Sequence, residues 1–153
     1  MDNIVSRSGM PLALIPAIFF LFALGLAYAT GTSWGTFSIL IPLVISILSA
    51  DESLILIGIA AVLSGSVCGD HVSLISDTTI LASTGSKCDH VMHVNAQMPY
   101  CMIVAGVSFI GFLVGGFVPN RYLIIGISFV LLITSFFVIN ILSKRKEDKK
   151  KEI

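Results

Sequence analysis

Charged residues are scarce in this sequence and are absent from most of it. They make up 12% of the 153 residues, against about 25% in a typical soluble domain. Four stretches contain none: Ser8 to Ala50, Ser53 to Gly69, Val94 to Asn120 and Tyr122 to Ser143. Uncharged apolar runs of about 20 residues match a bilayer core about 30 Å thick. The sequence therefore excludes a soluble fold and predicts an all-α polytopic membrane protein.

Cysteine is also sparse, and its three positions do not form a pattern typical of disulfides. Cys68, Cys88 and Cys101 are an odd number and lie in or beside apolar segments, so nothing in the sequence indicates a disulfide framework. Zinc-type ligands occur as Cys68-x2-His71 and as Cys88-Asp89-His90-x2-His93. Neither half is a clean ligand pair at zinc spacing, so a structural zinc site is a secondary alternative.

No complete catalytic signature is present. Two membrane aspartates that share a proton would be typical of an aspartyl protease. However, Val67 stands where the GxGD signature of that class needs its first glycine, and the sequence has no Tyr-Asp pair. We therefore predict no catalytic residues, no enzyme activity and no cofactor.

The first 50 residues contain an apolar run that is broken once. Pro11 to Ala29 predicts a helix kinked at Pro16. Thr30 to Thr36 interrupts it with two glycines and four hydroxyl residues. Phe37 to Leu48 is about 12 residues, or about 18 Å as a helix, which is too short to cross a bilayer alone. Two short crossings, a helix with a re-entrant segment, and one long broken element all fit.

The remaining apolar segments predict further helices. Ser53 to Gly65 leads into a polar stretch, and a helix with Pro99 near its start follows His93. Tyr122 to Ser143 is the cleanest span. In total we predict about four to five transmembrane helices or half-helices, some of them broken or re-entrant, in a transmembrane domain over residues 1–143.

Residues 144–153 form a charged tail. A solvated tail is the simplest interpretation, and Lys/Arg excess marks the cytoplasmic side of a membrane. We predict a multi-pass protein of the cytoplasmic membrane with a cytoplasmic C-terminus. Its partners are then the lipid bilayer and a small ion, not nucleic acid. The tail holds six of the nine basic residues: Lys144, Arg145, Lys146, Lys149, Lys150 and Lys151.

The polar stretch from Gly65 to His93 carries the functional prediction. Ionisable side chains at membrane depth are expensive and by default indicate function. Gly69 and the hydroxyl residues after it predict an interrupted helix, whose carbonyls and hydroxyls would form an oxygen cage for a hard cation such as Na⁺. A carboxylate there holds either a cation or a proton, which is the minimum needed for exchange. The predicted ion- and proton-binding residues are Asp70, Asp77, His71, Ser76, Thr78 and Thr79.

Each of these features also has a structural interpretation. The two aspartates would serve as helix caps or as polar contacts between helices, and Asp77 before Thr78 fits an N-cap. Asp89, His90 and His93 lie near a helix boundary, where they would form a water-exposed rim. The break at Thr30 to Thr36 is either a glycine-rich turn or a second wall of the site that supplies the hydroxyls of Thr32, Ser33 and Thr36.

Two motifs resemble the NhaC-type sodium/proton antiporter family. They are ATGTSWGTFSILIPLVISI, Ala29 to Ile47, and CGDHVSLISDTTILASTGSKCDHVMHVNAQMPY, Cys68 to Tyr100. Leu74 stands where family members often have proline. The resemblance implies a secondary transporter that exchanges Na⁺ for H⁺, with both as transported ions; related members exchange organic acids or move amino acids. It also implies half of an inverted-repeat ion-transporter fold.

Full members of that family are much longer than this chain, which resembles their C-terminal part. Inverted-repeat transporters build their site where two halves meet. The resemblance therefore implies that transport needs the missing N-terminal half or another protomer. The alternatives are a piece of a split transporter, an interaction subunit and a non-transporting remnant.

Overall fold

In a computed structural model, residues 11–49, 51–118, 122 and 124–137 are described. All regular structure in those ranges is helical, which confirms the all-α prediction. A 3₁₀ turn, Leu12–Leu14, leads into α1. The helices are α1 (Ile15–Thr30), α2 (Ser33–Ile47), α3 (Glu52–Val72), α4 (Asp77–Gly85), α5 (His90–Phe117) and α6 (Ile124–Phe137).

Three of the described helical segments are long and apolar enough to cross a membrane: Leu12–Thr30, Glu52–Val72 and His90–Phe117. Helix α2 is apolar but shorter. Helix α6 is apolar over the residues described, and the rest of the predicted span Tyr122 to Ser143 lies outside them. This mixture of full-length and short elements agrees with the predicted membrane helices and half-helices. The charged tail lies outside the described residues, so the division at residue 143 and the cytoplasmic C-terminus stay predictions.

Helices α1 and α3 form the centre of the fold through two glycines of α3. A Cβ atom at Gly65 would collide with the carbonyl oxygen of Phe20, and one at Gly69 with that of Leu24. The glycines are four residues apart, so they lie on one face and let the two backbones approach closely. This close approach fixes the end of α3, where the polar stretch begins.

Pro16 and Pro99 take other places in their helices than the sequence predicts. Pro16 is in the first turn of α1, where its missing N–H leaves no helical hydrogen bond unmade. Pro99 is well inside α5, although we expected it near the start of that helix. The helix begins earlier because Asp89 caps it, with its carboxylate accepting from the N–H of Met92 at 2.9 Å.

Both predicted breaks exist, but both are shorter than predicted. Gly31, at φ 67°, ends α1 in the left-handed conformation that glycine tolerates. Thr32 then caps α2 by accepting from the N–H of Gly35 at 3.3 Å. Helix α3 continues through Gly69 to Val72, so the predicted interruption at Gly69 is wrong: that glycine serves helix packing. The second break is the unwound segment 73–76, which joins α3 to α4.

Candidate cation-binding site

Asp70 is a buried carboxylate at the meeting point of three helices. It lies in the last turn of α3 and is 3% exposed. Its Oδ2 accepts a hydrogen bond from the Ser33 hydroxyl of α2 at 2.9 Å and one from the Thr78 hydroxyl of α4 at 3.1 Å. Because each donor comes from a different helix, the carboxylate ties the ends of all three together.

Two helix N-termini face this carboxylate. Ser33 is the first residue of α2, and Thr78 lies in the first turn of α4. Helix N-termini carry partial positive charge from the aligned peptide dipoles. Their capping residues, Thr32 and Ser76, set where each helix starts. The local sequence thus places positive potential beside a buried anion.

Two buried oxygens of α3 have no hydrogen-bond partner among the described residues: Oδ1 of Asp70 and Oγ of Ser66. Ser66 is 0% exposed. The two residues are four apart, so their side chains lie on the same helix face. A buried polar atom without a partner is costly and calls for a bound ion or water. A carboxylate and a hydroxyl are hard oxygen ligands, of the kind that bind cations such as Na⁺.

Hydroxyl groups continue from this pair along the unwound segment 73–76. The Ser73 hydroxyl donates to the carbonyl oxygen of Tyr28 in α1 at 2.8 Å. The Ser76 hydroxyl lies 2.8 Å from that of Thr78. Both serines are buried. The segment therefore adds polar atoms around Asp70 without adding charge.

The two breaks meet in space. A Cβ atom at Gly31 would lie 2.7 Å from the carbonyl oxygen of Ile75, and Ser33 binds Asp70 directly. The remaining predicted residues of the first break serve α2. Thr32 caps it, and the hydroxyl of Thr36 donates to the carbonyl oxygen of Thr32 at 2.9 Å.

Several predicted site residues lie in or around the Asp70 cluster, and others do not. Ser33, Ser76 and Thr78 are in it, and Thr79 is buried beside it with its N–H facing the Ser76 hydroxyl at 3.4 Å. Asp77 is exposed, and its carboxylate accepts from the N–H of Thr78 at 2.8 Å. The N-cap of α4 is Ser76, one residue before the position that we expected.

The histidines take different places. His71 is exposed, and its Nδ1 lies 2.9 Å from the carbonyl oxygen of Val67 on its own helix. It lines an open groove of about 600 Å³ together with Cys68, Tyr100 and Cys101. His90 instead contacts Ser83 of α4 and the unwound segment. In the described part of the chain, no three His, Cys, Asp or Glu side chains converge on a metal position, so the zinc alternative lacks a ligand set.

Sequence reasoning missed two contributors, Ser66 and Gln97. Ser66 lies one helical turn before Asp70, so a search at that period for hydroxyls around the aspartate would have found it. Gln97, on α5, donates from its amide nitrogen to the carbonyl oxygen of His71 at the end of α3. No local pattern marks Gln97, because its partner is a backbone carbonyl 26 residues earlier.

Comparison with known proteins relates this sequence to transport proteins. The profile described as the Na⁺/H⁺ antiporter family matches residues 1–117. An uncharacterized protein of Haemophilus influenzae is 45% identical over 118 residues, which cover 76% of this chain and 22% of that protein. The malate-2H⁺/Na⁺-lactate antiporter of Bacillus subtilis is 38% identical over 114 residues, covering 66% of this chain and 24% of that protein.

The chain thus spans about a quarter of the length of these curated relatives. No solved structure shows a significant match.

Proposed function

Because this chain belongs to the Na⁺/H⁺ antiporter family, we propose that it forms part of an ion-coupled antiporter in which Na⁺ and H⁺ compete for Asp70. The observation that carries the proposal is the pair of buried, unpartnered oxygens on Asp70 and Ser66. A cation bound there satisfies both oxygens, whereas protonation of Asp70 removes the negative charge that holds it. Occupancy by one ion therefore excludes the other. The protein acts as a transporter and not as an enzyme.

The surrounding membrane makes an ionised Asp70 costly unless a cation or the protein interior compensates its charge. Ionised groups at membrane depth are retained where they face a protein interior or an ion pathway. Among the residues that the structure describes, the donors to Asp70 are the neutral hydroxyls of Ser33 and Thr78, and no basic side chain pairs with it. Its charge therefore remains available to a cation. We place the protein in the cytoplasmic membrane with its C-terminus in the cytoplasm, on the basis of the basic tail.

We expect Ser66→Ala to weaken Na⁺ binding without weakening the fold. The hydroxyl has no partner in the described residues, so its removal should leave the free energy of unfolding unchanged or slightly higher. Loss of one neutral ligand should raise the half-saturating Na⁺ concentration by about tenfold, equivalent to about 1.4 kcal/mol. Thermal unfolding in detergent with and without Na⁺ measures both effects. Ser64→Ala, two residues earlier on the same helix, is the matched control.

Exchange itself is tested in everted membrane vesicles from antiporter-deficient cells. Addition of Na⁺ should dissipate a respiration-generated pH gradient when the chain is active. We expect the chain alone to be inactive, because transporters of this kind complete their ion site between two repeats. Co-expression with the part of the Haemophilus influenzae relative that the match leaves uncovered should restore exchange. Equal activity of the chain alone would show that no partner is needed.

If Na⁺ dissipates the gradient in neither case, with both polypeptides detected in the membrane, the antiport proposal is wrong. The remnant or interaction-subunit alternative would then stand.

Exchange of organic acids is the second candidate function. It is favoured by the similarity to the Bacillus subtilis protein, whose name specifies malate and lactate. The same vesicles distinguish the two functions, since a carboxylate exchanger needs lactate or malate in addition to Na⁺. Na⁺-driven dissipation that appears only with one of these acids supports the second function.

A further inference from the structure

The unwound segment 73–76 is held from one side by helix α5. The last carbonyl groups of any α-helix lack intrahelical partners. At the end of α3, Gln97 fills this need by donating to the carbonyl oxygen of His71. The carbonyl oxygen of Leu74, which belongs to the segment, lies 2.8 Å from Nε2 of His90 on α5. His90 and Gln97 are seven residues apart on α5, so they lie on the same face two turns apart.

The hydrogen-bond partner of Nε2, a carbonyl oxygen, decides which ring nitrogen of His90 carries a hydrogen. A carbonyl oxygen can only accept, so Nε2 must carry the hydrogen. The other ring nitrogen, Nδ1, lies 3.1 Å from the hydroxyl of Ser83 in α4. His90 therefore bridges the unwound segment and the short helix that follows it. Two side chains of one helix thus hold the backbone on both sides of Val72 and Ser73.

The same segment leads directly into the Asp70 cluster. At its start, Ser73 is anchored to α1 through the carbonyl oxygen of Tyr28. At its end, the Ser76 hydroxyl contacts that of Thr78, which donates to Asp70. A shift of the segment would therefore move Ser76 and Thr78 relative to the carboxylate.

We propose that Gln97 and His90 are positioning residues that clamp the unwound segment and thereby hold Ser76 and Thr78 against Asp70. The proposal rests on the proposed function of the Asp70 site and extends it, because it names a second helix that controls the geometry of that site. Neither residue touches the Asp70 carboxylate. They act through the backbone, so a movement of α5 would open or close the site.

The clamp is tested with variants of Gln97 and His90 that keep a side chain of similar size but remove or shift its hydrogen-bond donor. Gln97→Glu preserves the shape of the side chain but removes both N–H donors. His90→Gln keeps a donor at the reach of Nε2, whereas His90→Asn reaches only the position of Nδ1. His93→Gln and His93→Asn are the controls, because the described hydrogen bonds of His93 involve its backbone N–H and not its ring.

Two measurements report the result. The first is the mobility of a spin label attached to Leu74→Cys, in a background where Cys68, Cys88 and Cys101 are replaced by alanine; the side chain of Leu74 is exposed. The second is the half-saturating Na⁺ concentration. We expect Gln97→Glu and His90→Asn to mobilise the label and to raise that concentration by about tenfold for the loss of one hydrogen bond. His90→Gln and both controls should stay within about twofold.

The outcomes separate the clamp from the antiporter proposal. If the label and the Na⁺ concentration are unchanged in Gln97→Glu and His90→Asn, while Asp70→Asn abolishes Na⁺ binding, the clamp is wrong and the function stands. A mobilised label with unchanged Na⁺ binding would also overturn the positioning role. If Asp70→Asn binds Na⁺ like the wild type, the proposed function fails, and label mobility alone then decides whether the segment is clamped.

Discussion

Asp70→Asn is expected to abolish Na⁺-dependent exchange while leaving the protein folded. The amide oxygen of asparagine can still accept from Ser33 and Thr78, so the contact among the three helices survives. What disappears is the charge that holds a cation. Removal of one partner of a buried ion pair costs about 3–5 kcal/mol, which corresponds to at least about a hundredfold loss of affinity. The rate of Na⁺-induced pH-gradient dissipation measures this loss, in vesicles where co-expression with the complementing part has restored exchange.

Thermal unfolding provides a second measurement that does not need transport. A ligand that binds only the folded state stabilises it, by about 1.4 kcal/mol at ten times its dissociation constant. Added Na⁺ should therefore raise the unfolding temperature of the wild type and leave that of Asp70→Asn unchanged. Asp77→Asn makes the same chemical change on an exposed carboxylate and should respond to Na⁺ like the wild type. An equal loss in both variants would contradict a site centred on Asp70 alone.

The sequence predicts the presence of the helices better than their ends. Long uncharged runs require membrane-spanning helices whatever their partners, so α1, α3 and α5 were predictable from composition. Helix ends depend on tertiary contacts. Gly69 looked like a helix breaker because glycine is a poor helix former. It lies inside α3 because only a residue without a Cβ fits against the backbone of Leu24.

The candidate site was predictable in its chemistry but not in its pairing. Asp70, Ser33 and Thr78 were all candidates because carboxylates and hydroxyls in apolar sequence indicate function. Nothing in the order of residues showed that Ser33 would donate to Asp70, 37 positions later. The sequence also predicts Asp77 as an ion-binding residue, yet Asp77 is exposed, since Ser76 caps α4 and leaves Asp77 in its exposed first turn. Its predicted role in ion binding stays a prediction, which the comparison of Asp77→Asn with the wild type tests.

The hydroxyl-lined surroundings of Asp70 are consistent with exchange rather than permanent binding. A basic residue beside the aspartate would hold its charge and compete with the transported cation. In the described residues, the donors to Asp70 are the neutral hydroxyls of Ser33 and Thr78. Neutral donors orient the carboxylate without neutralising it. In the proposed function, Na⁺ and H⁺ would alternate at Oδ1 of Asp70, which has no hydrogen-bond partner among the described residues.

Gly69→Ala and Gly65→Ala are expected to have a large effect on stability. Each added Cβ would meet main-chain atoms of α1: the carbonyl oxygen of Leu24 for Gly69 and that of Phe20 for Gly65. Backbone atoms cannot rotate away, so the two helices must separate along their whole contact. Overpacking of a tight core costs about 1–3 kcal/mol, and we expect the upper end of this range for each variant. Equilibrium unfolding in detergent or lipid bicelles measures the change.

Gly25→Ala is the matched control, on the other helix of the same pair. Gly25 lies within α1, is exposed, and has no neighbour within 4 Å of an added Cβ. Alanine there should stabilise the helix by about 0.5–1 kcal/mol, because glycine loses more backbone entropy on folding. Glycine-to-alanine substitution is thus expected to lower stability at Gly65 and Gly69 on α3 and to raise it at Gly25 on α1. A loss of stability at Gly25 equal to that at Gly69 would attribute the effect to something other than the α1–α3 contact.

Because Asp70 directly follows Gly69, separation of these helices should also weaken Na⁺ binding in Gly69→Ala, whereas Gly25→Ala should bind Na⁺ like the wild type.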